Sequence, residues 1–296
     1  MSSPAARPVV VGYDGSDLAQ KAVEYAAQIA EHQGEPLVVL HAADRIRYVQ
    51  DAGYGLWTPA EAHKGALVVA ERGAQVARHA APTVEVTSKS SLSSPAAALE
   101  EISLTARMIV VGNSGRGRVS GILLGSTAYH VATLARCPVT IVPPGALPVP
   151  GPQHKVSVAT DGSSSAARAV HHATDVARRY GAPLEVITVW EKPYQDNRGT
   201  PPQGYASMSQ AVKLRTEAAQ KVAAEATEEI LREEPGLTVT DVVVEGRPEE
   251  VIAEAAADSA ALIVGARGRG DLTSLLLGST SRAVLHHAKC PVQIIR

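Results

Sequence analysis

The sequence predicts two tandem α/β domains, each a three-layer α/β/α arrangement around a five-stranded, mainly parallel sheet of the Rossmann-like kind. Three observations predict it. A long internal repeat runs through the 296 residues. Within each copy, short apolar runs alternate with helical stripes. The first, second and fourth apolar runs of each copy are nearly unbroken Val/Ile/Leu, as parallel strands covered on both faces require. Strand and helix in strict alternation imply right-handed crossovers and helices on both sides of the sheet.

The repeat is best seen in its glycines. Gly112, Gly115, Gly125 and Ser126 spell G-x2-G-x9-G-S, and Gly265, Gly268, Gly278 and Ser279 spell it again at a constant offset of 153 (265 − 112). With Gly and Ser at about 7% each, a given start matches by chance roughly 2 times in 100,000. Upstream, Asp14-Gly15-Ser16 aligns with Asp161-Gly162-Ser163 at an offset of 147 (161 − 14), so the second copy carries six extra residues between about 40 and 95. Two copies of this length make a duplication of whole domains rather than a solenoid. The expected boundaries are residues 1–144 and 155–296, joined by 145–154. The run 143–152 is rich in proline, which favours an extended, semi-rigid spacer.

Each element can be justified in order. Residues 8–12 form a strand that ends at Asp14-Gly15-Ser16. Residues 18–33 carry apolar positions at helical spacing, with Ser16 or Asp17 as N-cap and Gly34 as stop. Residues 36–42 are a second strand, 59–79 a helix and 84–86 a third strand. Residues 95–106 are a helix and 108–111 the fourth strand. A glycine loop leads to a helix starting near Ser126, and 138–142 is the fifth strand. The second copy repeats this order. In such sheets ligands bind beyond the carboxyl ends of the strands, at the switch point. Asp14, Ala42 and Gly112 all follow strand ends and are expected at one edge.

Composition narrows the partners. Lys and Arg number 28 against 30 Asp and Glu, a net charge of −2. Nothing there draws the chain to nucleic acid or an anionic membrane. No apolar run reaches bilayer length, and no secretory leader is expected from residues 1–8. Cys137 and Cys290 stand at equivalent positions and read as small buried apolar residues rather than a disulfide. The expectation is a cytoplasmic protein that binds neither nucleic acid nor membrane.

The glycine loops carry the chemistry. No G-x-x-x-x-G-K-[ST] and no G-x-G-x-x-G occurs, which excludes a P-loop and the dinucleotide fingerprint. Gly112 ends a strand. Gly115 permits close backbone approach. Gly125, Ser126 and Thr127 open a helix whose N–H groups and hydroxyls can face an anion. Gly265, Gly268, Gly278, Ser279 and Thr280 repeat the arrangement. Arg116 and Arg269 could neutralise phosphate charge. The competing reading is loop punctuation with a solvated basic rim. Asp14 and Asp161 could meet a ribose hydroxyl, a backbone donor or a bridging cation. Equally, each could be a helix-start carboxylate favoured by the dipole, and the roles can coexist.

V-V-x-x-D-G-S, V-V-G-x-x-G-R-G, L-L-G-S-T and C-P-V together resemble the universal stress protein family, in tandem form and nearly end to end. Its fold is adenine-nucleotide alpha-hydrolase-like, and G-x2-G-x9-G-[ST] marks its ATP-binding subgroup. The resemblance implies ATP as ligand, with any Mg2+ held mainly by the phosphates. By position, Asp14, Ala42, Val111, Gly112, Gly115, Gly125, Ser126 and Thr127 would line the first site. Asp161, Val189, Val264, Gly265, Gly268, Gly278, Ser279 and Thr280 would line the second. Ala42 and Val189 would read adenine through backbone groups. The resemblance further implies a cytoplasmic stress or growth-arrest role, pairing through the fifth strand, a homodimer and a protein partner of unknown identity. Thr188-Val189-Trp190 stands against His41-Ala42-Ala43, and the bulk of Trp190 gives a reason to expect a narrower second pocket.

Other chemistries fare worse. None of the ten histidines recurs at a shared position and no H-E-x-x-H exists, which disfavours metal. No G-x-S-x-G elbow occurs. The Gly-Arg turns lack neighbouring aromatics, so RNA contact is weakly supported. Residues 45–57 hold Tyr48, Tyr54 and Trp57, a lid, a partner surface or a packed loop. Three function classes remain: a nucleotide-dependent signalling module, a slow ATPase or phosphotransferase, and a structural dimer without nucleotide. The enzyme reading lacks an evident general base or phosphate lysine, so no catalytic residue is assigned.

Overall fold

A computed structural model describes residues 7–43, 58–115, 124–145, 148–193, 203–268 and 277–296. Arg116, Arg269 and the aromatic segment 45–57 lie outside them.

Among the described residues the first repeat runs β1 (Val9–Gly12), α1 (Asp17–Gln33), β2 (Leu37–Ala42), α2 (Pro59–Ala80), β3 (Val86–Ser91), α3 (Pro95–Ile102), β4 (Met108–Gly112), α4 (Ser126–Leu134) and β5 (Val139–Val142). The second runs β6 (Val156–Ala159), α5 (Ser164–Tyr180), β7 (Leu184–Trp190), α6 (Met208–Glu233), β8 (Val239–Glu245), α7 (Pro248–Ala255), β9 (Ala261–Gly265), α8 (Ser279–His287) and β10 (Val292–Ile295). The chain divides into two compact units: residues 1–149 with 291–294, and 150–290 with 295–296.

In the first unit the strands lie in the order β3-β2-β1-β4-β5, all parallel. Residues 291–294, from β10, belong to this unit and run antiparallel to β5, with Gln293 donating to Thr140 in the buried register. In the second unit the order β9-β6-β7-β8 repeats the parallel pattern. Val9, Val10, Val11, Leu37, Ile109 and Val110 are fully buried in the first sheet, and Leu184, Ile187, Leu262 and Ile263 in the second. Such two-sided burial is what the apolar runs predict.

The helix ends follow local chemistry. Ser16 accepts from Ala19 N–H at the start of α1, and Ser163 accepts from Ala166 N–H at the start of α5. Both helices stop at glycines in the left-handed region, Gly34 (φ 65°) and Gly181 (φ 60°). Helix α2 begins with a full capping box between Thr58 and Glu61.

Two expectations are corrected. The third strand is Val86–Ser91 rather than 84–86. Among the described residues it pairs with β2 alone, and its mostly polar sequence hid it from a search for apolar runs. The helix from Pro95 ends at Ile102, where turn hydrogen bonds through Ser103, Leu104 and Thr105 replace it. The six extra residues of the second copy can also be placed. Between β2 and α2 the offset grows from 147 to 149 (208 − 59), and across the helix to 153 (233 − 80). Two residues therefore extend the connection, and four lengthen α6 by about one turn.

Candidate functional site

Each repeat builds the same corner at the carboxyl edge of its sheet. After β1 the chain turns through Asp14 and Gly15, whose φ of 83° no side chain would readily adopt. Asp14 Oδ1 accepts the Ser16 N–H at 3.0 Å and so fixes the turn that starts α1. The other oxygen, Oδ2, faces Gly115, and a Cβ on that glycine would collide with it. The second repeat matches. Asp161 Oδ1 accepts Ser163 N–H at 2.9 Å, Gly162 has φ 76°, and a Cβ on Gly268 would stand 2.8 Å from Asp161 Oδ2. Each glycine loop thus passes directly against the carboxylate that follows strand one.

The loops are closed at their roots. Gly125 N–H donates to Asn113 carbonyl at 2.6 Å, and Gly278 N–H to Ala266 carbonyl at 2.8 Å. A Cβ on Gly125 would lie 3.3 Å from Asn113 O and Ser114 Cα. On Gly278 it would lie 3.3 Å from Arg267 Cα. Neither glycine needs a left-handed backbone, with φ of −72° and −60°. What they supply is close approach between the two ends of the loop. Gly112 and Gly265 do the same against the neighbouring helix: their Cβ atoms would stand 3.1 Å from Leu18 O and 2.7 Å from Ser165 Oγ.

Helices α4 and α8 start at these loops, and their first turns differ from most others. Side chains cap α1, α2, α3, α5 and α6, whereas no side chain caps α4 or α8. (Helix α7, after Arg247, is also uncapped.) The first N–H groups of α4 and α8 are therefore not occupied by a capping side chain, and their partial positive charge faces outward. Ser126 and Ser279 are exposed beside them, and Thr127 and Thr280 are half-buried. Ser126 is the first helical residue rather than the cap, which is Gly125.

The second strand closes the corner. Tyr13 N–H donates to Leu40 carbonyl, and Ala43 N–H to Ser91 carbonyl. Backbone groups alternate between neighbours along a parallel strand. Those of Ala42 therefore point toward β1, beyond the level where β1 has turned away. Thr160 N–H to Ile187 carbonyl and Gly246 N–H to Trp190 carbonyl place Val189 the same way. Val111 and Val264 are buried in the central strands just before the glycines. His41 Nδ1 donates to Tyr13 carbonyl at 2.7 Å beside Ala42.

The structure thus brings Asp14 against Gly115 and Gly125 against Asn113 and Ser114, and repeats this with Asp161, Gly268, Gly278 and Arg267. Ala42 and Val189 lie on the same sheet edges. Gly15 and Gly162 stand in the aligned Asp-Gly-Ser triplets of the sequence but were not assigned to the site, although an Asp-Gly pair after a strand is a recognisable turn signal. Sequence reading missed Ser165 and Ser281 altogether. Ser165 Oγ accepts Arg267 N–H at 3.3 Å, and Ser281 donates to Gly265 carbonyl at 2.7 Å. Comparing the repeats could have flagged both, because Leu18 and Ala128 occupy the equivalent positions.

No described helix is long and apolar enough to cross a membrane. Among the described residues no three His, Cys, Asp or Glu side chains gather as a metal site. Both cysteines are free thiols.

Comparison with known proteins agrees with this architecture. A universal stress protein of Mycobacterium tuberculosis H37Rv is 32% identical over 300 residues, covering 97% of this chain and 96% of its own. A second from that strain is 31% identical over 310 residues, with the same coverage. The crystal structure of a universal stress protein from Archaeoglobus fulgidus shares the fold, with a TM-score of 0.65, 21% identity and 98% of both chains covered. The universal stress protein family pattern matches twice, over residues 5–143 and 153–296. The chain therefore belongs to the universal stress protein family, as a tandem of two such domains.

Proposed function

We propose that this protein is an ATP-binding stress or signalling module with two nucleotide sites, one at each carboxylate–glycine corner. The observation that carries the reading is the duplicated geometry: a carboxylate against a bare glycine, followed by a helix start that no side chain caps. A Cβ would fill the space at Gly115 or Gly268, and a phosphate chain needs that backbone approach. The uncapped N–H groups with Ser126 and Thr127, or Ser279 and Thr280, supply phosphate donors. Arg116 and Arg269, next in sequence to Gly115 and Gly268, would add positive charge. Asp14 and Asp161 suit ribose hydroxyls better than phosphate, since two anions repel. The backbone groups of Ala42 and Val189 match the polar edge of adenine. Mg2+ would arrive with the phosphates and be held mainly by them.

In this reading nucleotide occupancy changes what the protein contacts, and ATP is a ligand before it is a substrate. The one carboxylate at each corner holds its own turn, and no second one stands by as a general base among the residues assigned to the site. The protein acts in the cytoplasm as a homodimer, a state that light scattering would read as twice the 30.8 kDa chain mass. Native mass spectrometry of the purified full chain tests the binding claim. Adenine nucleotide carried through purification, or taken up on titration, supports it. A folded chain that takes up none contradicts it.

A further inference from the structure

The two corners are alike in outline but are held differently. In the second repeat the glycine loop is tied down at two points by serine side chains. Ser281, in the first turn of α8 and only 6% exposed, donates to the Gly265 carbonyl at 2.7 Å. Ser165, in the first turn of α5 and 5% exposed, accepts the Arg267 N–H at 3.3 Å. The root of the loop lies directly on α5, since a Cβ on Gly265 would be 2.7 Å from Ser165 Oγ and 2.8 Å from its backbone.

In the first repeat both ties are missing. The residue equivalent to Ser281 is Ala128 (281 − 153), and the one equivalent to Ser165 is Leu18 (165 − 147). Neither side chain can hydrogen-bond. A Cβ on Gly112 would lie 3.1 Å from Leu18 O, against 2.8 Å from Ser165 O for one on Gly265. What the repeats share is the closing bond from Gly125 or Gly278. At its described root, residues 265–268, the second corner therefore has its backbone held by two serine bonds that residues 112–115 of the first corner lack.

We propose that Ser165 and Ser281 are positioning residues that make the second corner the slow-releasing nucleotide site and leave the first as the exchanging one. The inference rests on the nucleotide reading above. Pre-organisation removes an ordering cost from binding and shows mainly as slower release. A chain built this way keeps one nucleotide resident while the other site follows nucleotide supply. A duplicated domain with two identical sites could not divide the work in that manner.

The test uses the full chain and a fluorescent ATP analogue whose release is followed after mixing with excess ATP. Gly115→Ala leaves only the second site and Gly268→Ala only the first. Release from the second site should be slower by about fivefold or more. Adding Ser165→Ala and Ser281→Ala to the Gly115→Ala chain should bring its release rate to that of the first site. Conversely, Ala128→Ser should slow release from the first site. Ala128 shows that alanine fits the position of Ser281, and circular dichroism checks the fold. Equal release rates from the two single-site chains, or rates unmoved by the serine variants, would overturn the division of roles. A wild-type chain that binds no nucleotide would instead remove the nucleotide reading itself. Amide exchange on the nucleotide-free protein tests the physical cause separately. The Arg267 amide should exchange about fivefold or more slowly than that of Ser114, and Ser165→Ala should erase the difference. Equal protection in the wild-type chain would contradict the proposal.

Discussion

Gly268 lies so close to Asp161 that a Cβ on the glycine would stand 2.8 Å from the carboxylate oxygen Oδ2. Gly115 stands in the same relation to Asp14. Neither glycine has a positive φ, so an alanine would not strain the backbone there. It would displace carboxylate Oδ2 and fill the space between carboxylate and glycine. Gly115→Ala and Gly268→Ala should each weaken nucleotide binding at their own corner about tenfold or more, with stability changed by about 1 kcal/mol or less. Calorimetric titration with a parallel thermal melt checks both. Full affinity in the double variant would show that these loops do not hold the ligand.

The helix starts give a graded pair. Gly125→Ala brings a Cβ to 3.3 Å from Asn113 O and Ser114 Cα, in a backbone of φ −72° that alanine tolerates. Binding at the first corner should fall more than stability. Ser126→Ala removes a hydroxyl but no cap, because Gly125 is the cap and makes no side-chain bond. It should weaken binding by about 1 kcal/mol and leave the melting temperature nearly unchanged. A large loss of stability in Ser126→Ala would contradict that assignment.

A second relationship concerns the core. A Cβ on Gly73 of α2 would lie 2.7 Å from the Tyr13 ring and 2.9 Å from Val39. The second repeat has Ala226 at the glycine position and Thr160 at the tyrosine position (226 − 153 and 160 − 147). Gly73→Ala should therefore cost about 1–3 kcal/mol by overpacking. Tyr13→Thr should recover much of that in the double variant. Urea unfolding of the four proteins gives the coupling energy, and strict additivity would contradict the account.

The second repeat also carries a polar cluster that the first lacks. Lys155 Nζ meets Glu185 at 2.8 Å and Asp258 at 3.0 Å, and Ser157 bonds both Glu185 and Ser259. Pro8, Val10, Val38, Thr105 and Ala106 occupy the equivalent places. Burial works against the Lys155 charge, but the two carboxylates outweigh it and hold its pKa above the ordinary 10.5. A raised lysine pKa stabilises below the unfolded value, so the contribution is intact at neutral pH and lost as pH climbs beyond it. Glu185→Val alone should cost about 1–3 kcal/mol at pH 7, because it leaves Lys155 only the exposed Asp258. Replacing Lys155, Ser157 and Glu185 together by apolar residues should cost less than Glu185→Val. Denaturant melts at pH 7 distinguish the two.

The cysteines give a prediction in pH. Burial pushes the Cys137 thiol up to about 11 and the Cys290 thiol up to about 12, from an ordinary 9.0. The folded values exceed the unfolded one. Stability from keeping both thiols protonated is therefore present below pH 9 and lost as pH rises toward 11 and 12. At pH 8 the native chain should react with a thiol reagent at least tenfold more slowly than the unfolded chain. Prompt labelling of Cys290 in the native state would refute its placement.

Much of the fold was legible because the determining signals are local and repeated. Asp14-Gly15-Ser16 announces a turn and a cap, Gly34 a stop, and Val9 to Val11 a strand buried on both faces. Strand β3 was hidden because its residues, from Thr87 to Ser91, are stabilised by pairing with β2 rather than by an apolar pattern. The candidate corner was legible in its glycines and Asp14, which short-range geometry demands. Residues far apart in sequence carried no such signal. Tyr13 and Gly73, or Ser165 and Arg267, acquire their meaning only when the helices dock. Gly125 was legible as a glycine at a helix start, but its close approach to Asn113 and Ser114 was not.

The central claim is that each repeat holds one adenine nucleotide. Native mass spectrometry of the full chain titrated with ATP measures it most directly. The account predicts two bound nucleotides per chain, falling to one in Gly115→Ala or Gly268→Ala and to none in the double variant. A folded wild-type chain that binds no ATP, or a double variant that still binds two, would contradict it.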